Sequence, residues 1–447
     1  MQVGSSKASR RPGCLPSGEA EHGPFPPLKL RSCPEASKNY AVGILLATSG
    51  VFRFHACMNP PNPRAKRRLP ARMFCAFAWL ALTTTAPAKD FFTFFGTYTN
   101  ALSRGIYVSR LDADTGRLSA PELAVATPSP CFLNLSPDGK FLYAANSVGT
   151  FNGENAGAVS AFAVDKKSGR LALLNEKSSG GAGPCHVSVD ATGKILFVAN
   201  YGGGSVKSFL LETNGRLGAD GTFLQHHGSS VNTNRQSAPR AHFIGADPSN
   251  RFALVCDLGT DRVMVYPFTT DGGLAARSAA PASVPPGSGA RHLAFSRDGK
   301  FAFVANEMAC SLTTFAWNSD KGSLTAVETI SALPPGVALQ NSFSAAEILV
   351  HPGGKFVYAT LRGHDSVSVF AADARSGRLT FVQNVSAGGK IPRGLGIDPT
   401  GRWLIVANQK TENAVEFAID AATGKLSPTQ QELKIGAPVD VKFVPAD

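Results

Sequence analysis

Five side chains in this sequence have the types that chemistry on a small anion requires: His242, Arg291, Glu307, Arg362 and Arg393. A guanidinium holds a carboxylate or phosphate through paired hydrogen bonds and stabilises an oxyanion that forms during reaction. A glutamate and a histidine can pass a proton between water and a leaving oxygen. The five are far apart in the chain, so the fold must gather them. Their local contexts are alike. Glu307 and Arg362 end short apolar runs, as in "KFAFVANE" and "KFVYATLR", whereas His242, Arg291 and Arg393 stand just before such runs, as in "RAHFIGA", "ARHLAF" and "PRGLGI".

Those contexts are copies of one unit. "SPDGKFLYAAN" from Ser136, "VDATGKILFVAN" from Val189, "ADPSNRFALVCD" from Ala246, "SRDGKFAFVANE" from Ser296, "VHPGGKFVYATLR" from Val350 and "IDPTGRWLIVAN" from Ile397 align as six hairpins. Their turn residues, Gly139, Gly193, Asn250, Gly299, Gly354 and Gly401, are spaced by 54, 57, 49, 55 and 47 residues. Repeats of this length with several short strands each predict a β-propeller with one four-stranded sheet per blade. In the fourth unit the strands read "RHLAFSRDG", "KFAFVAN", "SLTTFAWN" and "LTAVETIS". Before the first full unit, "FFTFFGTYTNALSRGIYVSRLDADTGRLSAPELAVAT" supplies three strands and lacks an inner one; after the last, "APVDVKFVPAD" supplies one inner strand. Joined, the ends make a seventh blade and remove the open sheet edges. The expected fold is an all-β seven-bladed propeller over residues 89–447, closed by pairing the C-terminal strand with the N-terminal blade.

Alternating strand direction sorts the loops onto two faces. One face carries the near-identical Asp/Gly turns, whose sameness is structural; His351 replaces the usual Asp in one of them. On the other face the residues vary and are polar. Asn146, Asn200-Tyr201, Asp257, Asn306-Glu307, Arg362 and Asn408-Gln409-Lys410 follow second strands. Cys185-His186, His242, Arg291-His292 and Arg393 lie at the starts of inner strands, which surround the axis. A lone Asn or Asp at a strand end is more often a turn former than a ligand, and His226-His227 reads as surface decoration in an outer loop. The coincidence of a His, a Glu and three Arg on one face near the axis is what points to a common pocket. Arg291 and Glu307 lie at strand ends on the rim, so their substitution is expected to spare the fold.

Composition narrows the function. The 45 Gly and 30 Pro with 17% charged and 43% hydrophobic residues describe a turn-rich globular protein. The formal charge of +12 is concentrated in residues 1–88, which hold 12 Lys and Arg against 3 Glu, leaving +3 for residues 89–447. Nucleic acid is therefore not an expected partner. Residues 1–57 are Pro-rich and basic. Residues 58–88 run from a basic segment at Arg64–Arg72 through a short apolar segment at Met73–Leu82 to Ala86-Pro87-Ala88, the order of a secretory signal too short in its apolar part to span a bilayer. A periplasmic or secreted location is expected if the signal is used and a cytoplasmic one otherwise, with no stable membrane insertion after processing. Of 8 cysteines, 4 follow the leader, at Cys131, Cys185, Cys256 and Cys310; their spacing is no metal pattern. Cys131 and Cys185 share a repeat position, where a bridge is conceivable but two small buried side chains are favoured. No Gly-rich phosphate loop, His-x-x-x-His helix or nucleophile elbow is present.

At these residues the chain resembles the seven-bladed lactonase family of propeller-type 6-phosphogluconolactonase and carboxy-cis,cis-muconate cyclase. The resemblance covers essentially all of 89–447 and rests on "GTYT" at Gly96, "GIYV" at Gly105, "ANYGGGSV" at Ala199, "DLGTDRV" at Asp257, "ARHLAF" at Ala290, "VANE" at Val304, "AAEI" at Ala345, "RGHDSVSVF" at Arg362, "PRG" at Pro392 and "ANQ" at Ala407. It implies His242, Arg291, Glu307 and Arg362 as catalytic residues. His186, Asn200, Tyr201, Asp257, His292, Asn306, Glu347, Arg393 and Gln409 are expected to bind substrate. The chain departs from the family pattern at Arg240, Ala290 and Leu361, where His, Pro and Asn are common.

The expected reaction is metal-independent and cofactor-free hydrolysis, by a monomer, of a small sugar lactone to the aldonic acid, the substrate being either an anionic, 6-phosphogluconolactone-like lactone or an unphosphorylated aldonolactone. Arg291 and Arg362 would hold the anion and oxyanion, while Glu307 or His242 moves the proton. The alternatives are a cycloisomerase forming a lactone from an unsaturated diacid, and a non-catalytic binding platform. Against the latter, the Gly-His and Trp-Asp signatures of protein-binding repeats are absent, and Trp317 and Trp403 are the fold's only tryptophans.

The leader yields the first prediction. Protein recovered from the native cell envelope should begin at Lys89; an intact mass retaining residues 58–88 refutes the processing site.

Overall fold

The computed structural model describes residues 90–278 and 281–447. The leader, with its signal and cleavage site, lies outside the described residues. The described chain forms seven sheets of four antiparallel strands each, in the order expected from the repeats. Six blades occupy residues 130–178, 184–225, 241–283, 290–331, 344–386 and 392–434, and are numbered 1 to 6. Blade 7 takes its inner strand, Pro438–Pro445, from the C-terminus and its other three from 90–126. The inner strand pairs antiparallel with Asp90–Thr97, from Phe91 opposite Pro445 to Thr97 opposite Pro438. The seventh blade is thus assembled from both chain ends.

The strand "DFFTFFGT" explains how neighbouring blades adhere. A half-buried strand would alternate apolar and polar residues, but here nearly every position is buried. Period 2 sends Phe91 and Phe95 toward blade 6, against Ile405 and Ala407, and Phe92 and Phe94 toward blade 1, against Leu133 and Leu142. Both faces of the sheet are interior. Each fully buried phenylalanine contributes about 2 to 3 kcal/mol by removal from water, and comparable clusters fill the other blade junctions.

The Asp/Gly turns on one face do the structural work their sequence implies. Gly139, Gly193, Asn250, Gly299, Gly354 and Gly401 all have positive φ, between 56° and 78°. Asp398 shows the fastening: one carboxylate oxygen accepts the amides of Arg402 and Trp403 at 2.8 and 2.7 Å. His351 serves as a turn residue as well. Its Nδ1 accepts the Gly353 amide at 2.9 Å and its Nε2 meets the Gly401 carbonyl at 2.8 Å, joining blades 5 and 6.

At the opposite end of the inner strands every blade carries the same irregularity. Pairing slips by one residue between Pro130 and Phe132, Pro184 and His186, Ala241 and Phe243, Ala290 and His292, Ala345 and Ile348, and Pro392 and Gly394. In blade 7 the slip falls opposite Val439. The extra residue of a β-bulge is left unpaired and its side chain is re-aimed. In blades 2, 3, 4 and 6 that residue is Cys185, His242, Arg291 and Arg393, so a backbone irregularity delivers the axial side chains.

Ring closure yields the second prediction. A chain ending at Gly436 leaves Asp90–Thr97 as an exposed inner edge and removes Asp440, whose carboxylate accepts the Leu133 amide at 2.8 Å. It should aggregate or lose its cooperative thermal transition; a melt matching that of the full chain refutes the closure.

Candidate active site

Glu307 is the centre of the polar face. It follows the second strand of blade 4, Phe301–Asn306, and its backbone amide donates to Gly289 at 2.7 Å. Three arginines from three segments converge on its carboxylate. Arg235, from the link between blades 2 and 3, donates to Oε1 at 2.6 Å; Arg291 Nε and Arg362 Nη2 approach Oε2 at 3.1 and 2.9 Å. Arg291 is 2% exposed and also donates to the Ala346 carbonyl at 2.7 Å. Burial by itself raises the Glu307 carboxyl, but Arg362, Arg291 and Arg235 outweigh it and hold the group far below the usual carboxylate range. Glu307 is therefore an ionised clamp and a weak base. Burial and the neighbouring Arg362 bring Arg291 down to about 10, still a cation at neutral pH.

A chamber of about 260 Å³ opens beside this cluster, lined by Tyr98, Tyr201, His242, Glu307, Arg362 and Arg393 among others. His242 stands edge-on to Tyr201, ring centres 5.4 Å apart. Burial, then the charge of Arg291, pushes its pKa well below the ordinary histidine value, so it is neutral at pH 7 with Nδ1 unpartnered. Arg393 stacks on Tyr98 at 5.4 Å and donates to its hydroxyl at 3.2 Å. With four guanidiniums around one carboxylate, the chamber has a net positive field suited to an anion or a developing oxyanion. Burial pushes the Cys185 thiol at the wall to about 12, which removes it as a nucleophile. Among the described residues no group of three or more His, Cys, Asp or Glu is placed to hold a metal ion.

A family model described as a seven-bladed β-propeller lactonase matches residues 92–443. The chain belongs to this lactonase family. It is 34% identical over 349 residues to a 6-phosphogluconolactonase of Bacillus subtilis, covering 78% of this chain and 97% of that one. A 6-phosphogluconolactonase of Formosa agariphila is 31% identical over 347 residues, covering 76% and 96%. Among solved structures, the periplasmic gluconolactonase of Pseudomonas aeruginosa superposes with a TM-score of 0.74 at 30% identity, over 80% of this chain and all of the other.

Within this lactonase fold the expected site residues separate. His242, Tyr201, Glu307, Arg362 and Arg393 line the chamber, and Arg291 sits behind Glu307 rather than on the wall. His292 and Glu347 lie deeper, joined at 2.8 Å, with the His292 ring 5.0 Å from His242; His186 is farther still, stacked on Phe132 at 4.2 Å. None of these three is among the lining residues, so direct substrate contact expected of them is not what their placement offers. Asn200 and Asn306 are corrected to hairpin fasteners. Asn200 Nδ2 donates to the Ser179 carbonyl and Ser205 Oγ, and Asn306 Nδ2 to Ser311 Oγ and Thr313 Oγ1. Gln409 is half-buried and off the chamber.

Asp257 is likewise a fastener, and it shows what sequence reasoning missed. Its carboxylate accepts the amides of Arg240, Gly259 and Thr260 and lies 2.6 Å from His226 Nδ1. His226 is 5% exposed and also reaches the Tyr266 hydroxyl at 3.1 Å, so it anchors the 226–240 link instead of decorating the surface. That link carries Arg235, which no repeat register could have flagged. Tyr98 was hidden within "GTYT". Cys131 and Cys185 are free thiols, and the Cys185 thiol donates to the His242 carbonyl at 3.5 Å.

The burial of this cluster reverses the expectation that rim substitutions spare the fold. Glu307→Gln leaves the buried Arg291 uncompensated and should cost about 3 kcal/mol, whereas Arg235→Ala, whose side chain is 44% exposed, should cost about 1 kcal/mol or less. Because the folded Glu307 pKa lies below its ordinary 4.5, the clamp is fully present above that pH and fades as pH falls. Urea unfolding should therefore show the gap between wild type and Glu307→Gln shrinking below about pH 4; equal stability at pH 7 refutes the clamp.

Proposed function

We propose that the protein hydrolyses an aldonolactone, the cyclic ester of a sugar acid, to the open-chain acid without a metal or cofactor. One observation carries the reading. A neutral imidazole, His242, and two guanidiniums, Arg362 and Arg393, line one chamber beside the ionised Glu307. Attack of water on a cyclic ester needs a proton acceptor and a positive field within one small concavity, and these side chains supply both.

Water attacks the lactone carbonyl while neutral His242 accepts its proton, and Arg362 with the surrounding positive field stabilises the tetrahedral oxyanion. Collapse breaks the bond to the ring oxygen, which takes the proton back from His242 and becomes the product hydroxyl. Both Glu307 carboxylate oxygens are engaged by arginines, so Glu307 fixes Arg362 and Arg291 in place and leaves the proton to His242. Arg291 acts as a positioning residue behind it.

Relatives named 6-phosphogluconolactonase and periplasmic gluconolactonase support a sugar lactone as the substrate class. The leader order at 58–88 supports export, where an unphosphorylated lactone is the more accessible substrate. The positive excess around Glu307 also suits a dicarboxylate, so lactone-forming cyclisation is the second reading.

The test is a panel of glucono-δ-lactone, 6-phosphogluconolactone and an unsaturated diacid, assayed on protein starting at Lys89. His242→Asn should lower lactone turnover about 10²- to 10⁴-fold and Arg362→Ala about 10²- to 10³-fold, with wild-type activity unchanged by EDTA. Full activity in both variants, or loss of activity in EDTA, refutes the mechanism; turnover of the diacid alone favours cyclisation.

A further inference from the structure

A second concavity, of about 430 Å³, adjoins the chamber. Arg235 lines both. Their walls also adjoin: Met308 of the concavity follows Glu307 of the chamber in the chain, and Ser344 of the concavity is the strand partner of Arg362 of the chamber. Its walls are the 226–240 link and the 332–343 link, which join blades 2 to 3 and 4 to 5.

Its chemistry differs from that of the chamber. Four side-chain amides line it, from Asn232, Asn234, Gln340 and Asn341; Asn232 Oδ1 accepts the amides of Asn234 and Arg235, while the other three side chains are exposed and make no hydrogen bond among the described residues. Ser342 and Ser344 add hydroxyls. Leu339, Met308 and Phe343 add apolar surface, and Leu339 is 52% exposed. Among the described residues no carboxylate lines it, and the one cation there, Arg235, is already engaged by Glu307 and the Tyr201 hydroxyl. A charged ligand finds no unspent counter-charge there. A pyranose fits: its hydroxyls match amides that both donate and accept, and its C–H face matches the apolar patch.

We infer that this pocket, contiguous with the lactone chamber through Arg235, is a subsite for a neutral glycosyl group, making glycosylated aldonolactones the preferred substrates. The inference rests on the lactonase reading of the chamber. In the reaction the ring ester opens as described, and the glycosidic bond to the second sugar is untouched. The two links set the specificity, and the axial residues set the chemistry.

The experiment compares glucono-δ-lactone with cellobiono-δ-lactone for wild type, the Gln340→Ala/Asn341→Ala double variant, and Asn341→Trp, which fills the concavity. Wild type should favour the disaccharide lactone about tenfold or more in kcat/KM, the value of one or two additional hydrogen bonds. Both variants should erase that preference and leave glucono-δ-lactone turnover within about twofold. Gluconolactone turnover with no disaccharide preference, or an equal loss on both substrates, overturns the subsite and leaves the lactonase reading standing. If wild type hydrolyses neither lactone, the lactonase reading has failed, and calorimetry with cellobiose decides the subsite: binding lost in Asn341→Trp supports it, and no binding to wild type overturns it.

Discussion

Everything at the centre of this molecule depends on the pairing of Pro438–Pro445 with Asp90–Thr97. A propeller has an axis only when it is a closed ring, and here the closing blade is shared by the two ends of the folded chain. The hydrogen bonds along that seam are ordinary. Their position is what matters, because they fix the angle between blades 6 and 1 and thereby the spacing of all seven inner strands. The continuous burial of "DFFTFFGT" follows from the same requirement: the strand must adhere to a blade on either side, so it has no polar face.

Once the ring is closed, burial and charge compete at its axis. Arg291 and Glu307 are nearly inaccessible, and either alone would be strongly destabilising there. Together with Arg362 and Arg235 they form a cluster in which the carboxylate remains ionised and the arginines remain cations. The same low-dielectric surroundings keep His242 neutral. An ionised clamp and a neutral imidazole therefore share one chamber, their difference set by which neighbours each side chain has and not by residue type.

The fold was legible because it is repetitive: six near-copies of a hairpin fix blade number, strand order and face, and the complementary ends fix the closure. The gathering of His242, Glu307, Arg362 and Arg393 followed from the same register. What the register could not distinguish was a strand-end asparagine facing the chamber from one facing its own hairpin, since Asn200 and Asn306 differ from a ligand only in side-chain direction. Arg235 was invisible for a different reason. It lies in a link with no repeat counterpart, and its position depends on His226, Asp257 and Gln236 closing that link from beneath. The inner-strand bulge left a trace, two non-apolar residues in succession in "PCHV" and "ARHL", but the trace has meaning only once the pairing slip is seen.

That bulge bears on how such a protein can change. A side chain whose backbone is left out of the ladder can be exchanged without disturbing strand register, and the inner strand of each blade offers one such position around a common axis. In this chain they hold thiols, an imidazole, two guanidiniums and small apolar groups. A lineage could thus alter the chemistry at the axis one blade at a time while the seams between blades stay the same, which separates the evolution of activity from the evolution of the scaffold.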